Sequence, residues 1–347
     1  MPSRPSVVVI PLLGAFHARY PQYTVVHVRE CVRAARPDAI ALMPLAPDAL
    51  ARPSWQDTDE VALPHTVVPW ARSAAVPVYE TGIDPGSPDV PGGPDAAGEA
   101  ERFRSYLEAF DAGRERLRRV DAALEPVREI LAGALDATGV RTRLLPAIRA
   151  YQAERAAVLE EGPGTGWLAE RAARMAERIA ALPHERVAVL AGVDHVPALE
   201  DVLERCCRLE PAPELPPDLG PEGRERALLD TAMRGDVADP AALLERLREV
   251  PRPEARYHEA NLLLLHGHPA EALDRLEAVS REDFQEPYYL PGFLLARLGQ
   301  LYDAGGQREA ALRAYRGVLA LSFAPAEAVE AARAGLREAF RLPAADD

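Results

Sequence analysis

The sequence predicts an α/β domain with a mainly parallel sheet and a large helical insertion, followed by an all-α domain of helical-hairpin repeats. Three observations carry this. Ser6 to Leu12 is a continuous, largely β-branched apolar run without alternation, the pattern of a parallel-sheet strand covered on both faces. Residues 99–182 have helical period almost throughout. Beyond Pro221 strand signals vanish, and the chain repeats itself at an offset of 39 residues. A length of 347 residues is too long for one ordinary core and fits two domains.

Each element follows from its local pattern. After the first strand and the motif Gly14-Ala-Phe-His17, Thr24 to Ala35 places Val25, Val28, Cys31, Val32 and Ala35 at helical spacing, and Pro37 stops the helix. Asp38 to Leu45 reads as a second strand, so the first forty-odd residues form a βαβ unit. A helix at His65–Ala74 and a strand at Val76–Glu80 come next, then an exposed loop dense in Pro and Gly from Asp84 to Gly98. The long helical stretch breaks near Thr138-Gly139 and again at Gly162–Gly166, read as a hinge. Arg186 to Ala191 returns as a buried strand, with Gly192-Val-Asp-His195 at its end and a helix opening near Pro197.

The first domain therefore covers residues 1–212, with the helical insertion at about 99–182; a proline-rich linker covers 213–221, and the repeats cover 222–347. Tyr257–Leu276 aligns with Ala296–Tyr315, so that Gly267 falls on Gly306, Ala272 on Ala311 and Leu273 on Leu312. Each copy reads as helix, glycine turn, helix, with hairpins at Tyr257–Val279 and Leu295–Leu319. The spacing of Leu298-Gly299, Tyr302, Gly306, Ala311 and Tyr315 is that of a tetratricopeptide repeat. A more divergent hairpin is expected at Arg224–Val250, a cap at Pro325–Leu342, and a longer connector at Glu282–Pro291, because the offset exceeds the usual ~34 residues.

Composition excludes several functions. A net charge of −14 argues against a nucleic-acid footprint, which needs a concentrated basic surface. The chain contains no lysine, so a Walker-type phosphate loop, a kinase lysine and a Schiff base are excluded. Cys31, Cys206 and Cys207 cannot all pair with one another, and a disulfide between adjacent helical cysteines is strained, which favours a reducing compartment. No run approaches the ~18 apolar residues of a membrane span, and the start lacks a full signal-peptide pattern. The expectation is a cytoplasmic protein that binds neither nucleic acid nor membrane, and whose repeats hold a protein or peptide.

Two Gly-x-x-His motifs, Gly14 to His17 and Gly192 to His195, each follow a buried strand. The carboxyl ends of parallel strands open into one crevice, where loops distant in sequence converge. Gly14 and Gly192 allow the turn off the strand and leave room for a ligand, and His17 and His195 are candidate metal ligands or proton carriers. Alternatively, each histidine packs or caps its turn. Asp194 either bonds a ligand or caps the following helix.

On these residues the first 210 positions resemble the TraB/GumN-like families, grouped with Tiki peptidases, erythromycin esterases and ChaN-type proteins. The resemblance rests on Gly14–His17, on Glu170-Arg171 with Met175, and on Val187–His195. It implies a site built from His17, His195 and Arg171, the last as an anion stabiliser, with a divalent metal of unspecified identity as possible cofactor. It also implies a glutamate at the end of the second strand, where this chain has Met43. A thioether is neither a general base nor a good ligand for a hard cation, so Glu80, at the end of the next strand, becomes the candidate carboxylate. The functional expectation is a degenerate or altered hydrolase-like domain acting on an ester or peptide bond through metal or histidine, coupled to a repeat scaffold. The alternatives are a non-enzymatic adaptor and a haem-binding module with no nominated axial ligand. No Gly-x-Ser-x-Gly elbow supports serine catalysis, and His266 and His268 read as turn residues.

Overall fold

The computed structural model describes residues 4–83, 96–159, 167–235, 239–282 and 287–342, so the Gly162–Gly166 hinge and most of the Asp84–Gly98 loop lie outside the described residues. Internal contacts divide the chain after Gly223 into two compact units.

The first unit runs β1 (Ser6–Leu12), α1 (Val25–Ala35), β2 (Ala39–Leu42), α2 (Val68–Ser73), β3 (Val78–Glu80), α3 (Ala96–Glu108), α4 (Asp111–Ala132), the single turn α5 (Ala137–Gly139), α6 (Leu145–Leu159), α7 (Trp167–Ala180), β4 (Arg186–Gly192), α8 (Val196–Cys206) and β5 (Arg208–Glu210). All four strand pairings are parallel, and the order across the sheet is β3-β2-β4-β1-β5. The first two strands are therefore not neighbours: β4, made after the whole helical excursion, lies between them, with Leu12 beside Gly192 and Leu42 beside Leu190. Strand β2 is shorter than its sequence pattern, ending at Leu42. Strand β5 had no signal in the sequence, since Arg208-Leu209-Glu210 is short and mostly charged.

Both faces of the sheet are covered, which explains the unbroken apolar runs. Successive side chains alternate across a strand. Val8, Ile10 and Leu12 join Ile40, Leu42 and Leu190 beneath α1, α2 and the insertion, whereas Val7 and Val9 join Val187, Val189 and Met43 beneath α7 and α8. Thr24 opens α1 as a capping box in which His27, not the usual Glu, bonds back to the Thr24 N–H. The insertion carries its own small core of Leu107, Val120, Val158 and Leu159.

The division between units falls within α9 (Pro221–Arg234), and the second unit continues with α10 (Pro240–Arg248), α11 (Pro253–Leu265), α12 (Pro269–Ser280), α13 (Leu290–Ala304), α14 (Arg308–Ala320) and α15 (Ala326–Arg337). Proline occupies the first turn of α10, α11, α12 and α13, where its missing N–H leaves no intrahelical bond unmade. Helices α11/α12 and α13/α14 pack as antiparallel-connected pairs around Tyr257, Leu263, Leu276 and Leu298, and Ala272 and Ala311 are fully buried. The Tyr315 ring lies between two glycines: a Cβ at Gly299 would stand 2.4 Å from its Cε1 and one at Gly335 would stand 2.2 Å from its Cζ.

The same unit buries a charged cluster. Arg226 on α9 gives two hydrogen bonds to Glu254 on α11, at 2.8 and 2.9 Å, and one to Asp230 at 2.7 Å. The Tyr289 hydroxyl also donates to Glu254. Among the described residues no helix is long and apolar enough to cross a membrane.

Candidate functional site

Strands β1 and β4 end side by side, and the Val193 N–H donates to the Leu12 carbonyl at 2.9 Å, so the two glycine motifs leave the sheet together. Gly14 turns off β1 with φ +58°, a left-handed conformation in which a β-carbon is strained. Its N–H donates to Glu60 Oε2 at 2.9 Å. Glu60 comes from the loop between β2 and α2. Gly192 closes the other side: a Cβ there would stand 3.0 Å from Asp194 Oδ1 and 3.1 Å from Glu60 Oε1, so the absent side chain is what lets both carboxylates approach. Asp194 Oδ1 in turn lies 2.8 Å from His195 Nδ1. Glu60, Asp194 and His195 thus gather over the carboxyl ends of adjacent strands.

The electrostatics separate the two acids. Burial pushes the Glu60 pKa up to about 7; the Gly14 N–H opposes the shift, the charges of Asp194 and Asp59 add to it, and His195 opposes it. For Asp194, partial burial disfavours the charge, but the hydrogen bond and charge of His195 prevail and hold the carboxyl below its ordinary range. Among the described residues no hydrogen bond engages His195 Nε2, whereas Nδ1 stands 2.8 Å from Asp194 Oδ1. His195 is also the N-cap of α8 without a side-chain cap bond, and the Asp194 carboxylate meets both the imidazole and the backbone N–H groups at the start of that helix.

His17 does something else. It is fully buried, its Nε2 accepts from the Leu13 N–H at 3.0 Å, and its Nδ1 donates to the Tyr23 carbonyl at 2.8 Å. Those partners fix the neutral Nδ1–H tautomer and leave the ring no lone pair for a metal or a substrate proton. Burial lowers its pKa to about 4, against the Tyr23 bond. The expectation of His17 as ligand or base is corrected: it staples the turn Gly14–Arg19, while Phe16 beside it is exposed.

Glu80 is corrected too. It ends the edge strand β3, with β2 between that strand and β4, and its Oε1 accepts from the Leu50 N–H, which ties down the loop after β2. Met43 is buried in the layer under α7 and α8. Arg171 stands on α7 one turn before Met175, half-buried, and burial lowers its pKa. Three other histidines are engaged away from the site: His184 meets the Tyr79 hydroxyl at 2.8 Å, His266 the Leu262 carbonyl at 2.7 Å, and His27 the Pro217 carbonyl at 3.1 Å.

Among the described residues no group of three or more His, Cys, Asp or Glu side chains is arranged to hold a metal ion. With His17 committed to backbone groups, the expected pair of metal histidines does not fit. Sequence reasoning missed Glu60. Its setting, Asp57-Thr58-Asp59-Glu60 before an apolar stretch, reads as an acidic helix start, and only its placement over Gly192 marks it. Comparison of the chain with family models, with curated proteins and with solved structures gave no match.

Proposed function

We propose that the first unit is a hydrolase-like domain in which His195, oriented by Asp194, and Glu60 act as a base and acid pair on an ester or amide, and that the repeats hold its protein or peptide partner. What supports this reading is the gathering of Glu60, Asp194 and His195 around Gly192. With Nδ1–H directed at Asp194, Nε2 takes the proton from a water as its oxygen bonds to the carbonyl carbon, and Asp194 stabilises the imidazolium. Glu60, with a pKa near 7, retains a protonated fraction at neutral pH and gives its proton to the departing oxygen or nitrogen. Solvent then carries the proton from His195 back to Glu60. Arg171 is the candidate for binding an anionic substrate group, as the resemblance to the TraB-like families implies.

A second reading, ligand binding without turnover, is favoured by Met43, a buried thioether where those families place a carboxylate. The discriminating experiment is hydrolysis of nitrophenyl esters and peptide nitroanilides by the full chain. Glu60→Gln and His195→Gln should each lower kcat/KM by about 10² to 10⁴, and Asp194→Asn by less. Variants as active as the wild type would end the first reading. A wild type that binds such compounds but turns none over would establish the second.

A further inference from the structure

A cavity of about 340 Å³ opens beside the sheet in the first unit, on the far side of β1 from β4. Its origin is a missing stretch of strand. Strand β5 accompanies β1 only through Val8, and beyond that point Pro11 has no N–H to offer a further neighbour, while its carbonyl accepts from the Tyr23 hydroxyl at 2.8 Å. Val9, Pro11 and Leu209 form an apolar floor, and Leu145 and Pro197 form the walls. The volume is at the lower end of ligand pockets, room for roughly ten non-hydrogen atoms.

The charges at its rim are unequally committed. Arg149 is held at 2.6 and 2.7 Å by Asp201 and also donates to the Pro197 carbonyl. Arg141 donates to the Ala212 carbonyl, and among the described residues no carboxylate lies within ion-pairing distance of it. Arg141 belongs to a five-residue π-helical turn, Val140–Leu144, that leads into α6, and such turns re-aim side chains within a helix and recur at functional sites. Glu200 and Glu210 also line the space, Glu200 3.8 Å from Arg149 and Glu210 paired with Arg208 at 2.9 Å, and the two acids repel a doubly charged ligand more than a singly charged one.

We propose that this cavity is a binding site for a small monocarboxylate with a short apolar chain, whose head group pairs with Arg141 while its chain lies on Val9, Pro11 and Leu145. The site is independent of Glu60 and His195. A guanidinium with donors to spare fits a planar carboxylate, the apolar floor fits a chain, and the two acids select against a dianion such as phosphate.

The test is calorimetric titration of the full chain with hexanoate, hexan-1-ol and hexyl phosphate. Hexanoate should bind at least about 10-fold more tightly than either of the others, and Arg141→Gln should weaken it by about 10 to 100-fold, the range for loss of a charged hydrogen bond. Because Arg141 also anchors Ala212, a second variant, Leu145→Trp, fills the cavity and leaves the guanidinium in place; it should abolish binding with the circular dichroism spectrum unchanged. Glu60→Gln should leave hexanoate binding as it is. The proposal is overturned if hexanoate fails to bind or hexanol binds as well. Undiminished binding by a folded Leu145→Trp protein, or loss of binding in Glu60→Gln, would also sink it.

Discussion

Glu60 in the first unit is a half-buried carboxylate and Glu254 in the second a fully buried one, and their neighbours give them opposite character. Glu60 accepts one backbone N–H and faces two further acids, so burial prevails and its pKa rises to about 7. Glu254 is more deeply buried, yet the bidentate Arg226 and the nearby His258 outweigh desolvation and hold its pKa well below the ordinary range. Asp230 shares the same guanidinium through a single bond and is pushed up to about 6, chiefly by burial, with the Glu254 charge adding to the shift. Burial alone therefore does not decide whether a carboxylate is ionised; the presence of a dedicated cation does. The paired acid holds helices together, and the acid without a dedicated cation keeps its proton to higher pH.

Removing the cation tests this most severely. Arg226→Met should destabilise the second unit by about 3–5 kcal/mol, because Glu254 and Asp230 remain buried without it. Replacing all three by apolar residues of similar volume should recover most of the loss. Urea denaturation of the full chain, followed by circular dichroism, checks both, and a single variant near wild-type stability would break the comparison.

The next largest effect concerns pH. The folded pKa of Glu60 lies above its ordinary 4.5, so the native state holds this proton more tightly than the unfolded chain does. Its contribution is fully present below pH 4.5 and is lost as pH rises through 7, a change of about 3 kcal/mol at most. The difference in urea midpoint between wild type and Glu60→Gln should accordingly shift in favour of the variant from pH 5 to pH 8. A difference independent of pH would mean that Glu60 is not held as described.

Smaller effects calibrate the scale. Gly335→Ala drives a methyl into the Tyr315 ring and should cost roughly 1–3 kcal/mol, measured by the same urea midpoint. Arg104→Ala breaks an exposed i,i+4 pair with Glu108 and should change stability by about 0.3–0.5 kcal/mol; a loss comparable to that of Arg226→Met would undo the distinction between paired burial and paired exposure.

The parallel sheet was legible because Ser6–Leu12 and Arg186–Ala191 are apolar on both faces, a pattern that only a doubly covered strand explains. Strand order was not legible, since nothing local in Ala39–Leu42 or Arg186–Gly192 says that the later strand lies beside the earlier one. That order is also why Glu80 was misplaced: the end of β3 is a plausible site only if β3 is central, and it is an edge. Gly14, Gly192, Asp194 and His195 could be found from their positions at strand ends. The inward turn of His17 could not, because its partners are the backbone groups of Leu13 and Tyr23, which any residues would supply. Glu60 was hidden for a related reason, its role arising from a loop that crosses over Gly192.

The position of β4 has a consequence for how the chain is made. During synthesis β1, β2 and β3 emerge first, but β1 and β2 have no common neighbour until residues 186–192 have appeared, more than a hundred residues after β3. Through that interval the nascent chain carries two short apolar strands with open edges, the kind of surface that recruits chaperones or pairs with other copies. Closure of the sheet is a late, long-range event, which sets a slow folding step for the first unit. The second unit, built from neighbouring hairpins, can fold as each pair of helices is completed.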